Sequence, residues 1–280
     1  MKQYRDIFER YEKKYLLSEK QYAALMHELR DTVHTDAYGE TTILNIYYDT
    51  PDHRLIRSSL EKPVFKEKLR LRCYGVPGPG SPAFIELKKK YRGIVYKRRT
   101  DMAYTQAMQF LASPEAAAGS QIEKEIRYFA KVHSPLAPAM VIACERTAMA
   151  GNTDPELRIT FDRNIRWRDD DLDLTHGSVG KNINDSGTVL MEVKIKDALL
   201  PELAHLFSDL AVFPVSFSKY GTAYRQMAAE KNQQKVRIYS YDRTLIREHY
   251  EKQFDHGRRL LGGNRLLPGH RTSHRPLVLP

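Results

Sequence analysis

Cysteine is scarce in this chain: two in 280 residues, Cys73 and Cys144. Two are too few for a disulfide-stapled scaffold, and Cys73 falls at an apolar strand position, where the expected role is that of a small buried hydrophobe. The N-terminus has no apolar signal core, and no hydrophobic run is long enough to cross a bilayer, so the expectation is a cytoplasmic protein. The glycines between Gly75 and Ser81 lack the Lys-Ser or Lys-Thr of a P-loop and read as a turn. There is no GxSxG, no kinase signature set and no HExxH, and His27, His34 and His53 read as surface residues without metal-ligand spacing. Any phosphate chemistry therefore has to come from a cation-lined cavity with a metal.

Positive charge is what the chain has in excess. Lys and Arg number 45 against 35 Asp and Glu, a net charge of +10 that suggests an anionic partner. Residues 229–280 hold eleven Lys/Arg against five Asp/Glu, so +6 of it lies in this last segment. With Gly262, Gly263, Pro268 and Pro276, this segment reads as a basic extension, disordered from about residue 257. Such an extension could engage an anionic membrane surface or a separate membrane protein.

The pattern that organises the rest runs from Lys66 to Tyr74. Positions 66, 68, 70 and 72 are cationic, and 65, 69, 71 and 73 are Phe, Leu, Leu and Cys. Period two is strand periodicity, so one face is apolar and the other carries four positive charges that repel one another. For one strand the bland explanation is a solvated face. The pattern recurs, however: Arg10, Glu12 and Lys14; Glu86, Lys88 and Lys90; Lys97 and Arg99; Arg158, Thr160 and Asp162; Glu192, Lys194 and Lys196. A flat antiparallel sheet with its polar face to water satisfies the alternation. So does a barrel whose charged residues line a wet interior while helices cover the apolar outside.

Helices are expected from Ser18 to about residue 32, with Gln21 completing a capping box, then from Pro51 to Leu60, near 105–112 and 121–133, over 200–210 and over 218–229. Lys89, Lys90 and Arg98 read as solvated surface charge, with Lys68 evenly balanced between surface and site. Arg146 and Arg158 could instead be structural partners of Glu145 or Asp162. Glu12, Glu86 and Glu192 share faces with Lys14, Lys88 and Lys194, as a divalent metal held jointly by protein and phosphates would need. Few exposed aromatics accompany the basic residues, which points away from base stacking and from nucleic acid.

Five stretches, in this order over about residues 4–228, carry a family resemblance: Arg10-x-Glu12-x-Lys14-Tyr15, Leu69-Arg-Leu-Arg72, Glu145-Arg-Thr-Ala148, Leu190-x-Glu192-Val-Lys194 and Phe217-Ser-Lys-Tyr220. The sequence resembles the VTC (vacuolar transporter chaperone) polyphosphate polymerase domain of the triphosphate tunnel metalloenzyme superfamily. The resemblance implies an α+β fold: a closed antiparallel eight-stranded β-barrel, its interior charged and its apolar exterior covered by helices. It implies a tunnel domain over 1–228 that binds ATP and polyphosphate with Mn2+ or Mg2+, followed by the extension 229–280. Phosphate ligands by motif position are Lys14, Arg70, Arg72, Lys88, Lys97, Arg146, Arg158 and Lys219, with Lys194 beside them. Glu192 is the implied metal ligand, joined by Glu12 and Glu86 from the face pattern, and Arg70, Arg72 and Lys219 carry the catalysis. The family pattern has a second basic residue before Phe217, where this chain has Ser216. The implied reaction is transfer of the γ-phosphoryl group of ATP to growing polyphosphate. Water as nucleophile would instead make a metal-dependent tripolyphosphatase or nucleoside triphosphatase, and the non-catalytic alternative is a polyanion-binding module.

Overall fold

A computed structural model describes residues 11–92, 94–113, 119–154, 156–184, 187–195 and 198–234. The chain divides into two units, Met1–Met227 and Ala228–Pro280. Of the second, residues 228–234 are described and are helical. The basic extension beyond residue 234 lies outside the described residues, as does Arg10 of the first charged run.

The first unit is built on one antiparallel sheet. Its strands are β1 (Tyr11–Ser18), β2 (Val33–Asp49), β3 (Phe65–Tyr74), β4 (Pro82–Tyr91), β5 (Ile94–Ala103), β6 (Ala137–Gly151), β7 (Arg158–Arg168), β8 (Lys181–Asn182) and β9 (Thr188–Ile195). Eight of them follow the order β1-β9-β7-β6-β2-β3-β4-β5, and the two-residue β8 pairs with β7. Helices α1 (Glu19–Leu29), α2 (Arg54–Leu60), α3 (Tyr104–Ala112), α4 (Gln121–Val132) and α5 (Pro201–Asp209) are interleaved, and a further helix, α6, begins at residue 219.

Alternation decides what each face does. Leu69, Leu71 and Cys73 of β3 and Ile85 and Leu87 of β4 are buried against Ala107 and Leu111 of α3 and Ile126 and Phe129 of α4. Leu17, Val189, Met191 and Val193 form a second core with Leu25 and Leu29 of α1 and Leu203 and Phe207 of α5. Each fully buried aliphatic side chain contributes about 1.5–3 kcal/mol, which fixes the register and turns the charged residues to the other face. Ser18 and Gln21 form the expected capping box at the start of α1.

The sheet rolls. In the strand order β1 and β4 are six steps apart, about 29 Å in a flat sheet. Yet Lys88 Nζ of β4 lies 3.1 Å from Glu12 Oε2 of β1, so the charged faces turn toward one another. The expected closure is not present: among the described residues β1 and β5 share no ladder. The free edge of β1 is occupied instead, since Val215 N–H donates to Lys14 O at 2.7 Å and Tyr15 bridges to Pro214. The last strand, β5, carries Lys97, Arg98 and Arg99 in a row, charges that discourage further pairing at an edge.

Two local expectations shift. The β-rich run 41–49, which by sequence reads as a strand ended by Pro51, is the second half of a longer strand: β2 starts at Val33, because its polar first half pairs with the end of β6 across a register shift between Thr35 and Glu40. Pro51 lies in a turn, and α2 starts at Arg54, where the Asp49 carboxylate accepts from Leu55 N–H at 2.9 Å and Ile56 N–H at 3.0 Å.

A third core was not legible in the strand pattern, and it sits on the concave face itself. Ile43, Tyr47, Ile142, Cys144, Trp167 and Leu190 pack there against Tyr220, Ala223 and Met227 of α6. Part of the concavity is thus dry and filled by the C-terminal helix of this unit.

Candidate active site on the concave face

The remaining concave surface is lined by charge. One of its two most buried carboxylates is Glu86, opposite Arg70 in the β3–β4 register and beside Arg99 and Lys97 of β5. Arg70 Nε donates to Glu86 Oε2 at 2.7 Å and Lys97 Nζ lies 2.6 Å from Oε1; Arg99 Nε follows at 3.6 Å and Arg72 Nε at 3.9 Å. Burial works against its ionisation, but Arg70, Arg72 and Lys97 hold the carboxyl well below the usual range. Arg70 also donates to the Tyr47 hydroxyl at 3.2 Å, and Arg72 to Asn45 Oδ1 at 2.9 Å. These contacts fix the planes of both guanidinium groups.

A second group surrounds Lys14 of β1. Its ammonium lies 3.4 Å from Glu12 and 3.3 Å from Glu192, while Lys88 reaches Glu12 from across the roll. Lys219, at the start of α6, pairs with Asp162 and lies 3.2 Å from Glu192. Arg146 clamps Asp162 with both prongs, at 2.5 and 2.7 Å, and lies 4.0 Å from Glu192. Burial opposes ionisation of Glu12 and Asp162 too, but Lys88 acting on Glu12 and Arg146 acting on Asp162 lead the charges that bring each down to about 2. Burial pushes the Lys194 ammonium down to about 8, although Glu192 and Glu12 pull it upward.

The structure thus brings Lys14, Arg70, Arg72, Lys88, Lys97, Arg146, Lys194, Lys219, Glu12, Glu86 and Glu192 to one face. Arg158 shares that face, opposite Lys194 in register, but is exposed at the start of β7. Sequence reasoning passed over Asp162 as a centre of the site. Its place two residues after Thr160, on the face shared with Arg158, was the available signal. Lys68, evenly balanced by sequence, faces inward: its Nζ donates to Ser218 Oγ at 3.0 Å, and among the described residues no carboxylate pairs with it. Burial, then Lys14 and Lys88, push its ammonium down to about 7. With Lys68 and Arg99 the network has ten basic side chains and four carboxylates, Glu12, Glu86, Asp162 and Glu192, a formal surplus of six positive charges when every base is protonated.

The VTC domain model matches residues 9–228. The chain belongs to the VTC domain family. No curated protein matches the sequence significantly. Among solved structures, this VTC domain is similar to a candidate adenylate cyclase from Bacillus halodurans, with 14% identity over 76% of this chain and 96% of that one and a TM-score of 0.48. A candidate adenylate cyclase from Vibrio parahaemolyticus has 12% identity over 78% and 98%, with a TM-score of 0.43. A candidate adenylyl cyclase from Hippeastrum, described as having a dominant triphosphatase activity, has 14% identity over 76% and 93%, with a TM-score of 0.45.

The VTC residues meet a divalent metal's needs unequally. Glu12 and Glu192 flank the same Lys14 ammonium and offer hard oxygen donors on adjacent strands. Glu86 is enclosed by four cations, which suits an anchor for the arginines better than a metal ligand. Among the described residues no group of three or more His, Cys, Asp and Glu is arranged around a common point, so phosphate oxygens would complete any coordination shell at Glu12 and Glu192. No described helix is long and apolar enough to cross a membrane.

Proposed function

We propose that this VTC domain is a polyphosphate polymerase that transfers the γ-phosphoryl group of ATP to growing polyphosphate on its concave face. The observation that carries this reading is that ten basic side chains face four carboxylates in one network, an excess that stays above the charge of one triphosphate even with Lys68 half-protonated near pH 7. A nucleoside triphosphate brings about four negative charges. Unneutralised ammonium and guanidinium groups behind low-dielectric walls repel one another, so a longer polyanion is the better-matched occupant.

Arg70 and Arg72, oriented by Glu86, Tyr47 and Asn45, grip phosphate oxygens as planar forks. Lys14, Lys88, Lys97, Arg146, Lys194 and Lys219 neutralise the charge that spreads over the equatorial oxygens as transfer proceeds. Arg158, at the exposed end, meets the polymer outside. A terminal oxygen of orthophosphate or polyphosphate attacks the γ-phosphorus. The bond from that phosphorus to the β,γ-bridging oxygen breaks, its electron pair stays on the β-phosphate, and ADP leaves. Mn2+ or Mg2+, held by Glu12 and Glu192 together with the phosphates, would supply Lewis-acid charge neutralisation.

One observation favours a second reading. Tyr220, Ala223 and Met227 fill part of the concavity, which shortens the run of charged surface open to a polymer and suits a triphosphatase with water as nucleophile. Product analysis decides between them. Incubation with ATP and Mn2+ should yield ADP and an acid-labile ladder on a gel, lost in Glu192→Gln. Stoichiometric orthophosphate without a ladder, at every metal and phosphate concentration, would establish the hydrolase.

A further inference from the structure

Contrary to the expectation that few exposed aromatics accompany the basic residues, the charged face ends in aromatic rings. Tyr74 follows Arg72 by two residues on β3, and Phe84 precedes Glu86 by two on β4, so both rings share the face of the cation network. They meet edge to face, with centroids 5.5 Å apart and planes at 79°. The Arg99 guanidinium carbon lies 3.6 Å from the Phe84 centroid and 5.8 Å from that of Tyr74, and one of its terminal nitrogens donates to the Tyr74 hydroxyl at 3.4 Å. Neither ring belongs to any of the three cores, and Tyr74 is 48% exposed. Burial therefore does not explain Tyr74, while Phe84 is half-buried beneath Tyr74 and Arg99, and a strand face selected for solvation alone would carry Thr or Glu here.

The place of this cluster gives it a use. Arg99 also reaches Glu86, the carboxylate that holds Arg70, Arg72 and Lys97, so the aromatic patch runs directly into the phosphate-gripping surface. At the Lys14 and Lys219 end, the polar contacts are with carboxylates. The two ends of the face thus differ in chemistry, one offering flat rings and a guanidinium stacked on them, the other ammonium groups and the Arg146 guanidinium held edge-on by Asp162.

We infer that Tyr74, Phe84 and Arg99 form the docking platform for the base of the nucleoside triphosphate, so that the phosphate chain runs from Arg72 toward Lys14 and Lys219. The inference rests on the triphosphate reading of the charged face. Stacking on an aromatic ring or on a guanidinium plane uses the π-face that every base has, so the platform accepts purine nucleotides without reading their edges. It also sets direction: the base stays at the Tyr74 end, and the γ-phosphate arrives among Lys14, Lys88 and Lys219, where an acceptor chain would meet it.

Titration calorimetry with ATP, GTP and inorganic tripolyphosphate, on the full chain and under one metal condition, separates this inference from the reading beneath it. Tyr74→Leu should weaken ATP and GTP alike by about tenfold and leave tripolyphosphate unchanged. Tyr74→Phe keeps the ring and should bind all three ligands as the unsubstituted chain does. Equal losses on ATP and tripolyphosphate in Tyr74→Leu would overturn the platform, as would no loss on ATP. A Tyr74→Phe defect as large as that of Tyr74→Leu would also overturn it by moving the effect to the hydroxyl. If the unsubstituted chain binds tripolyphosphate but not ATP, the platform alone falls; if it binds neither, the triphosphate reading falls with it.

Discussion

Glu86 resolves a conflict among its neighbours. Four cations crowd one end of the concave face, and alone they would repel each other strongly. One buried carboxylate, in register with Arg70 and Arg99, converts the crowd into a fixed array. Lys68 has no such relief. Burial and the nearby Lys14 and Lys88 lower its ammonium to about 7, against an ordinary value of 10.5. Between those two values the unfolded chain binds more protons than the native one. This group therefore opposes folding fully below about pH 7, and its cost fades as pH rises toward the ordinary value. Lys68→Met should raise Tm most at pH 6–7, with the gain shrinking toward pH 10, as thermal scans across that range would show. The same variant should bind tripolyphosphate more weakly at pH 6.5, because the anion that would stabilise the charged ammonium loses a partner.

At the scale of elements, Asp49 at the end of β2 ties three pieces together. Its carboxylate caps α2 through Leu55 N–H and Ile56 N–H and accepts from the Tyr220 hydroxyl of α6 at 2.8 Å. Tyr220 also stacks on Tyr47, whose hydroxyl accepts from Arg70, and follows Lys219 directly. One buried group therefore supports both a helix start and the element that delivers Lys219 to Asp162 and Glu192. Asp49→Ala should cost about 2–4 kcal/mol in urea unfolding and weaken tripolyphosphate binding. Tyr220→Phe, which leaves the two backbone donors in place, should cost about 1 kcal/mol.

For the whole molecule, the rolled sheet gives the chain an outside held by two helix-backed cores and a concavity shared between charge and the third core. We propose that the basic extension contributes location rather than chemistry. Truncation after residue 234 should leave ATP turnover unchanged while abolishing co-sedimentation with phosphatidylserine vesicles; a large loss of turnover would show that the extension completes the active site.

The sequence alone determined the faces. Two-residue alternation in Lys66–Tyr74 and its repeats separated apolar from charged side chains without any knowledge of partners, and five short motifs in order identified the family. Capping at Ser18 and Gln21 was equally local. Three-dimensional contact decided everything that needed two distant segments. Among the described residues β1 and β5 share no ladder, and residues 214–215 take the edge of β1, a pairing no periodicity encodes. Glu86 became the anchor of four cations, and Asp162 a centre, only because antiparallel register set them opposite Arg70 and Arg146. The α6 residues Tyr220, Ala223 and Met227 look like any amphipathic stripe in sequence. That they fill the concavity follows from Ile43, Ile142, Cys144 and Trp167 facing inward, an apolar patch assembled from three strands and visible only once those strands lie side by side.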